Sequence, residues 1–103
     1  MLDSVIIDAV RYAILRVKES LLLEGRACNA VVDYNTAQIK MLEDGNIGEG
    51  NAAKLLMHEI VHALLFERGM PEAAADEELV SELAAGFVNL VRANPQLITF
   101  LQK

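Results

Sequence analysis

The sequence predicts an α+β domain: a small antiparallel sheet of about three to four strands, followed by helices. Three observations carry that expectation. β-branched and alternating runs occupy residues 5–17 and 28–42. Residues 52–66, AAKLLMHEIVHALLF, then form one long apolar stretch of helical length. After a glycine–proline stop, residues 76–93 carry apolar side chains at helical spacing.

Residues 5–17, VIIDAVRYAILRV, admit two readings. A helix would line Ile6, Ala9, Val10, Ala13, Ile14 and Val17 along one stripe. A hairpin would run Val5 to Ile7 and Val10 to Val17 on either side of Asp8-Ala9. β-branched density favours the hairpin, although a two-residue turn prefers glycine where Ala9 stands. Residues 28–42 read as a second hairpin. CNAVVDY and TAQIKML flank Asn35, a residue that tolerates positive φ, and Ala37, Ile39 and Met41 alternate with Gln38 and Lys40.

The stretch 43–51, EDGNIGEGN, is a glycine-rich loop ending at Asn51, a candidate N-cap for the apolar helix. That helix stops at Arg68-Gly69-Met70-Pro71. A second helix runs from Asp76, its N-cap, to Ala93, with Leu79, Val80, Leu83, Ala84, Phe87, Leu90 and Val91 as the expected apolar stripe. Asn94-Pro95 opens a short last helix whose Leu97, Ile98 and Leu101 are expected to pack on the body.

The 103 residues make one domain, 1–103, with 53% hydrophobic but only 5% aromatic content, so the core is aliphatic. A net charge of −6 and a pI near 4.8 argue against nucleic-acid binding. Arg11, Arg16, Lys18 and Arg26 are scattered and form no basic patch. Cys28 is the only cysteine, so no internal disulfide forms. Without a basic n-region at Met1-Leu2-Asp3-Ser4 or a run of about 20 uncharged apolar residues, a cytoplasmic protein that does not engage a membrane is expected. Oligomeric state is not written in the sequence.

The apolar helix holds the motif His58-Glu59-Ile60-Val61-His62, or HExxH. Positions i and i+4 share a helix face, so His58 and His62 can offer ring nitrogens to one metal ion. Glu59 sits beside the pair, within reach of a water at that metal. Burying three titratable groups unpartnered would cost on the order of several kcal/mol, and a Zn²⁺ ion removes that penalty. Two core histidines satisfied by hydrogen bonds are the bland alternative.

A catalytic zinc usually takes three protein ligands, and the chain has no third histidine. Arg68 stands where the metzincin pattern needs one, which excludes that class. Among Asp76, Glu77, Glu78 and Glu82, Glu77 shares a face with Val80, Ala84 and Phe87 and points inward, whereas Glu78 aligns with Ser81, Glu82 and Ala85 on the solvated side. Glu77 is therefore the expected third ligand and Glu78 the reserve. Cys28 reads as a small buried strand residue, and Tyr12 and Tyr34 as residues covering a core edge.

With HEIVHALL followed by DEELVSELAAGF, the chain resembles the ImmA/IrrE-type metallopeptidases, particularly the small versions of phages and mobile elements. VRYAILRV and VVDYNTAQIKM resemble the strands ahead of that family's active helix, and VRANPQL its short tail. The resemblance implies a gluzincin-like fold, with His58, His62 and Glu77 matching the zinc ligands and Glu59 the catalytic glutamate. For some members it also implies cleavage of a repressor or regulator, here in the host cytoplasm if the chain is phage-encoded. The expectation is thus a Zn²⁺-dependent peptidase acting on a protein or peptide, with strand Thr36–Met41 able to pair with an extended substrate. The rival expectation is a metal-binding accessory protein that hydrolyses nothing and works by binding a regulator.

Overall fold

The structure is a computed structural model and describes residues 2–43 and 49–103, with the backbone alone at Glu49. It is α+β, as the sequence predicts. Strands β1 (Ser4–Ile7), β2 (Val10–Val17), β5 (Ala30–Asp33) and β6 (Gln38–Leu42) form a sheet ordered β1-β2-β6-β5. Strands β3 (Leu21–Leu23) and β4 (Arg26–Cys28) form a separate two-stranded ribbon. Among the described residues, four helices follow: α1 (Glu49–Glu67), α2 (Pro71–Ala74), α3 (Glu77–Ala93) and α4 (Pro95–Leu101).

Residues 5–17 are a hairpin, with Ser4 opposite Ala13 and Ile7 opposite Val10. The turn manages without glycine because Asp8, not Ala9, takes the left-handed φ of 53°. The β5–β6 hairpin is present too, but Asn35 does not supply its positive φ; Ala37 does, at 53°. The turn is held instead by Asp33, whose Oδ1 accepts from the N–H groups of Asn35 and Thr36 at 3.0 and 3.3 Å. The β3–β4 ribbon was not expected. Its signal is the Glu24-Gly25 turn, where both residues have positive φ, between LLL and RAC.

Within the sheet, β6 lies between β2 and β5, parallel to the former and antiparallel to the latter. The parallel pair is a feature that the two hairpins alone do not announce. The chain between Val17 and Gln38 makes the crossover such a pair requires. With neighbours on both sides, β6 cannot receive a substrate strand, so the expected role of Thr36–Met41 is corrected: among the described residues, the edge strands are β1 and β5.

Helix α1 is apolar nearly all round because it is covered on two sides. Leu55, Leu56, Ile60, Ala63 and Leu64 pack on the sheet with Ile7, Tyr12, Ile14, Ile39 and Met41. Met57, Val61 and Leu65 meet Val80, Leu83 and Ala84 of α3. Asn51 lies inside α1 rather than capping it, and residues 44–48 of the expected loop lie outside the described residues. At the other end Gly69 (φ 75°) gives a Schellman stop: its N–H bonds Phe66 O, and that of Met70 bonds Leu65 O at 2.9 Å.

Asp76 caps α3 as predicted, its side chain accepting from Leu79 N at 3.1 Å. The stripe of α3 needs correction: Val80, Ala84 and Val88 are buried, while Leu79, Phe87, Leu90 and Val91 are exposed. One helix packs beneath α3, so only a narrow seam is covered. Helix α4 likewise buries no residue; Leu97 is half-covered, and Ile98 and Leu101 face solvent.

Candidate metal centre

Side chains from α1 and α3 converge where the two helices meet. His58 and His62, one turn apart on α1, bring their Nε2 atoms within 3.1 Å of each other. Glu77 begins α3 directly after its cap and holds Oε2 3.0 Å from His58 Nε2 and Oε1 3.0 Å from His62 Nε2. The three residues therefore lie close enough to bind one metal ion.

The hydrogen bonds behind the rings decide which nitrogens face the centre. His62 Nδ1 donates to the carbonyl of Ala74, so its Nε2 carries the lone pair. Ala74 is buried in the single turn α2, which gives that short helix a purpose. Ser81 Oγ lies 3.4 Å from His58 Nδ1 and accepts from it in the matching tautomer. Two lone pairs and a carboxylate then face one point with no donor among them. A proton there bridges one contact at a time, whereas a metal ion satisfies all of them. At zinc–nitrogen lengths of about 2.0–2.1 Å, tetrahedral ligands would be about 3.3 Å apart, close to the separation found.

Glu77 reaches this point by a route the sequence did not suggest. Its side chain is 62% exposed, and Phe87, expected on the same inward face, is exposed as well. Val80 and Ala84 do face inward. What positions Glu77 is its place in the first turn of α3, over the open end of the α1–α3 groove. Glu78 and Glu82 are exposed and take no part in the cluster.

Glu59 is 6% exposed, the counterpart of His62 at 7% on an otherwise apolar helix. Burial, and secondarily the charge of Glu77, raises its carboxyl from 4.5 to about 7. Its charge is felt on both flanks of β5. Burial and then Glu59 push up the Cys28 thiol, against the pull of the Ala30 N–H, and burial, Glu59 and then Glu77 push up the Tyr34 hydroxyl. Tyr34 stacks on Phe66 with ring centres 4.1 Å apart, and Tyr12 is fully buried and donates to Glu67 Oε2 at 2.9 Å. Cys28 is half-buried at the end of β4, its thiol 3.6 Å from Leu21 O.

A cleft of about 390 Å³ opens beside His58, lined by Asn29, Asn51, Lys54, Leu55, Ser81, Ala84 and Ala85. Asn29 directly precedes β5, so the open sheet edge borders this cleft. The Leu42 N–H bonds Asn29 O, and antiparallel alternation then turns the N–H and C=O of Ala30 and Val32 away from β6.

Among the described residues, no helix is long and apolar enough to cross a membrane. Compared with protein-family models, curated proteins and solved structures, the chain has no significant match.

Proposed function

We propose that the chain is a zinc-dependent metallopeptidase of the ImmA/IrrE type, with His58, His62 and Glu77 as metal ligands and Glu59 as general base. The observation that carries this reading is the pairing of a three-ligand cluster with a buried carboxyl one residue from its first histidine. The donor set, two imidazoles and a carboxylate, suits Zn²⁺ in an open catalytic site. When bound, zinc supplies Lewis acidity that activates water and polarises a carbonyl at neutral pH.

The residues of the chain do the rest. Glu59 takes the proton of the attacking water and returns it to the leaving amine. Its buried carboxyl, one residue from the first histidine, is placed for both transfers. Ala74 and Ser81 hold the histidines in the ligating tautomer. The edge of β5, where the N–H and C=O of Val32 turn away from β6, pairs with an extended peptide and lays it across the cleft mouth.

The substrate class is a protein or peptide, a repressor of a mobile element being the first to try, and the setting a host cytoplasm. Glu59→Gln keeps the shape of the side chain but cannot accept a proton. It should retain metal and lose hydrolysis by roughly two to four orders of magnitude. Hydrolysis that survives this substitution would overturn the mechanism. A wild type that holds zinc yet cleaves no candidate would favour the rival, a binding protein.

A further inference from the structure

The cleft beside His58 has a polarity unlike the rest of the chain. The protein carries a net charge of −6, yet among the described residues that line this cleft there is no carboxylate, and Lys54 carries the only full charge. Asn29 and Asn51 add carboxamide donors, Ser81 a hydroxyl, and Leu55, Ala84 and Ala85 a narrow apolar wall. A second cation stands at the same end: Arg92 of α3 reaches across to α1 and donates to Gly50 O at 3.4 Å. Lys54 lies one turn, about 6 Å along α1, from His58, about the reach of a residue next to the bond being cut. The volume is at the low end of the range for ligand pockets, enough for one or two side chains.

We infer that this groove is a specificity pocket for a carboxylate-bearing residue flanking the scissile bond, with Lys54 reading its charge. The inference rests on the peptidase reading and adds the substrate's chemistry. The cleft has room for an acidic side chain, and the carboxamides of Asn29 and Asn51 supply neutral donors around the Lys54 charge. A carboxylate could come from an Asp or Glu side chain or from a free C-terminus.

The test uses the zinc-loaded full chain and short peptide hydroxamates, which anchor on the metal and need no turnover. Four probes carry Glu, Gln or Lys beside the hydroxamate with an amidated end, or Ala with a free carboxylate. At low salt, a carboxylate probe should bind about fivefold or more tightly than the Gln probe and tighter still than the Lys probe, with the margin narrowing as salt rises. Whichever carboxylate probe leads identifies the source. Lys54→Glu, at unchanged zinc content, should invert the order in favour of Lys. Equal binding of all probes to zinc-loaded protein would overturn the pocket while leaving the metal centre intact, as would an unchanged preference in Lys54→Glu. Protein that takes up no zinc would overturn the peptidase reading, and this inference with it.

Discussion

Glu59 is a buried carboxyl whose burial costs the fold stability and on which the proposed chemistry depends. Its carboxyl is raised to about 7, so the folded metal-free chain binds this proton more tightly than the unfolded chain does. Below about 4.5 both states are protonated and the group is neutral in the balance. As pH rises toward 7 the unfolded state has released its proton and the folded state has not, so stability falls, then levels off above 7. The loss is on the order of a few kcal/mol. Urea unfolding of metal-free wild type and Glu59→Gln should therefore diverge across that window, the wild type losing stability relative to the variant. Parallel profiles would contradict the buried placement. Glu77→Ala should weaken zinc binding by more than the 10- to 100-fold typical of losing a supporting hydrogen-bond partner, and Glu78→Ala should leave it unchanged. Competition with a chelator of known affinity measures both. At this scale the sequence was most legible where spacing alone decides: His58 and His62 share a face in any α-helix. Glu77 was found by an argument only half right, because its carboxylate is exposed, and first-turn geometry rather than burial brings it to the histidines.

Helix ends set the site's geometry. Asp76 fixes where α3 begins, and Glu77 is the residue after it. Asp76→Ala should cost about 1 kcal/mol of stability and also weaken zinc binding, since a frayed first turn no longer holds Glu77 over the histidines. Gly69→Ala is the control. Its φ of 75° penalises any side chain by about 1 kcal/mol although an added Cβ would meet nothing within 4 Å, and it lies away from the ligands. That variant should lose stability, read as a denaturation midpoint, while its zinc affinity holds; an affinity loss in Gly69→Ala equal to that in Asp76→Ala would remove the special role of the cap. The helix stop at Gly69 and the Asp76 cap were legible because glycine, proline and aspartate act locally, whereas Asn51, expected as a cap, lies inside α1. The covered face of α3 was not, since periodicity gives a broad apolar stripe and only the neighbour selects Val80, Ala84 and Val88 from it. The β3–β4 ribbon is too short for periodicity to register, and its Glu24-Gly25 turn was its one local mark.

For the molecule as a whole, sheet order is the least local property. Each hairpin could be read from its own residues, but the insertion of β6 between β2 and β5 depends on how two hairpins dock, which neither encodes alone. That docking decides that β5 and not β6 borders the site. A metal ion held by His58, His62 and Glu77 would tie the sheet-bound helix α1 to α3, and it should stabilise the whole domain. At free zinc about a thousandfold above Kd the gain is about 4 kcal/mol, or a Tm rise of about 15 °C or more in a domain of this size, reversed by a chelator. The most direct test of the account is a zinc titration of metal-free wild type beside His58→Ala. Wild type should bind one equivalent with sub-micromolar affinity and His58→Ala should bind none under the same conditions. A wild type that takes up no zinc or other divalent ion in that range, or a His58→Ala variant that binds equally well, would contradict it.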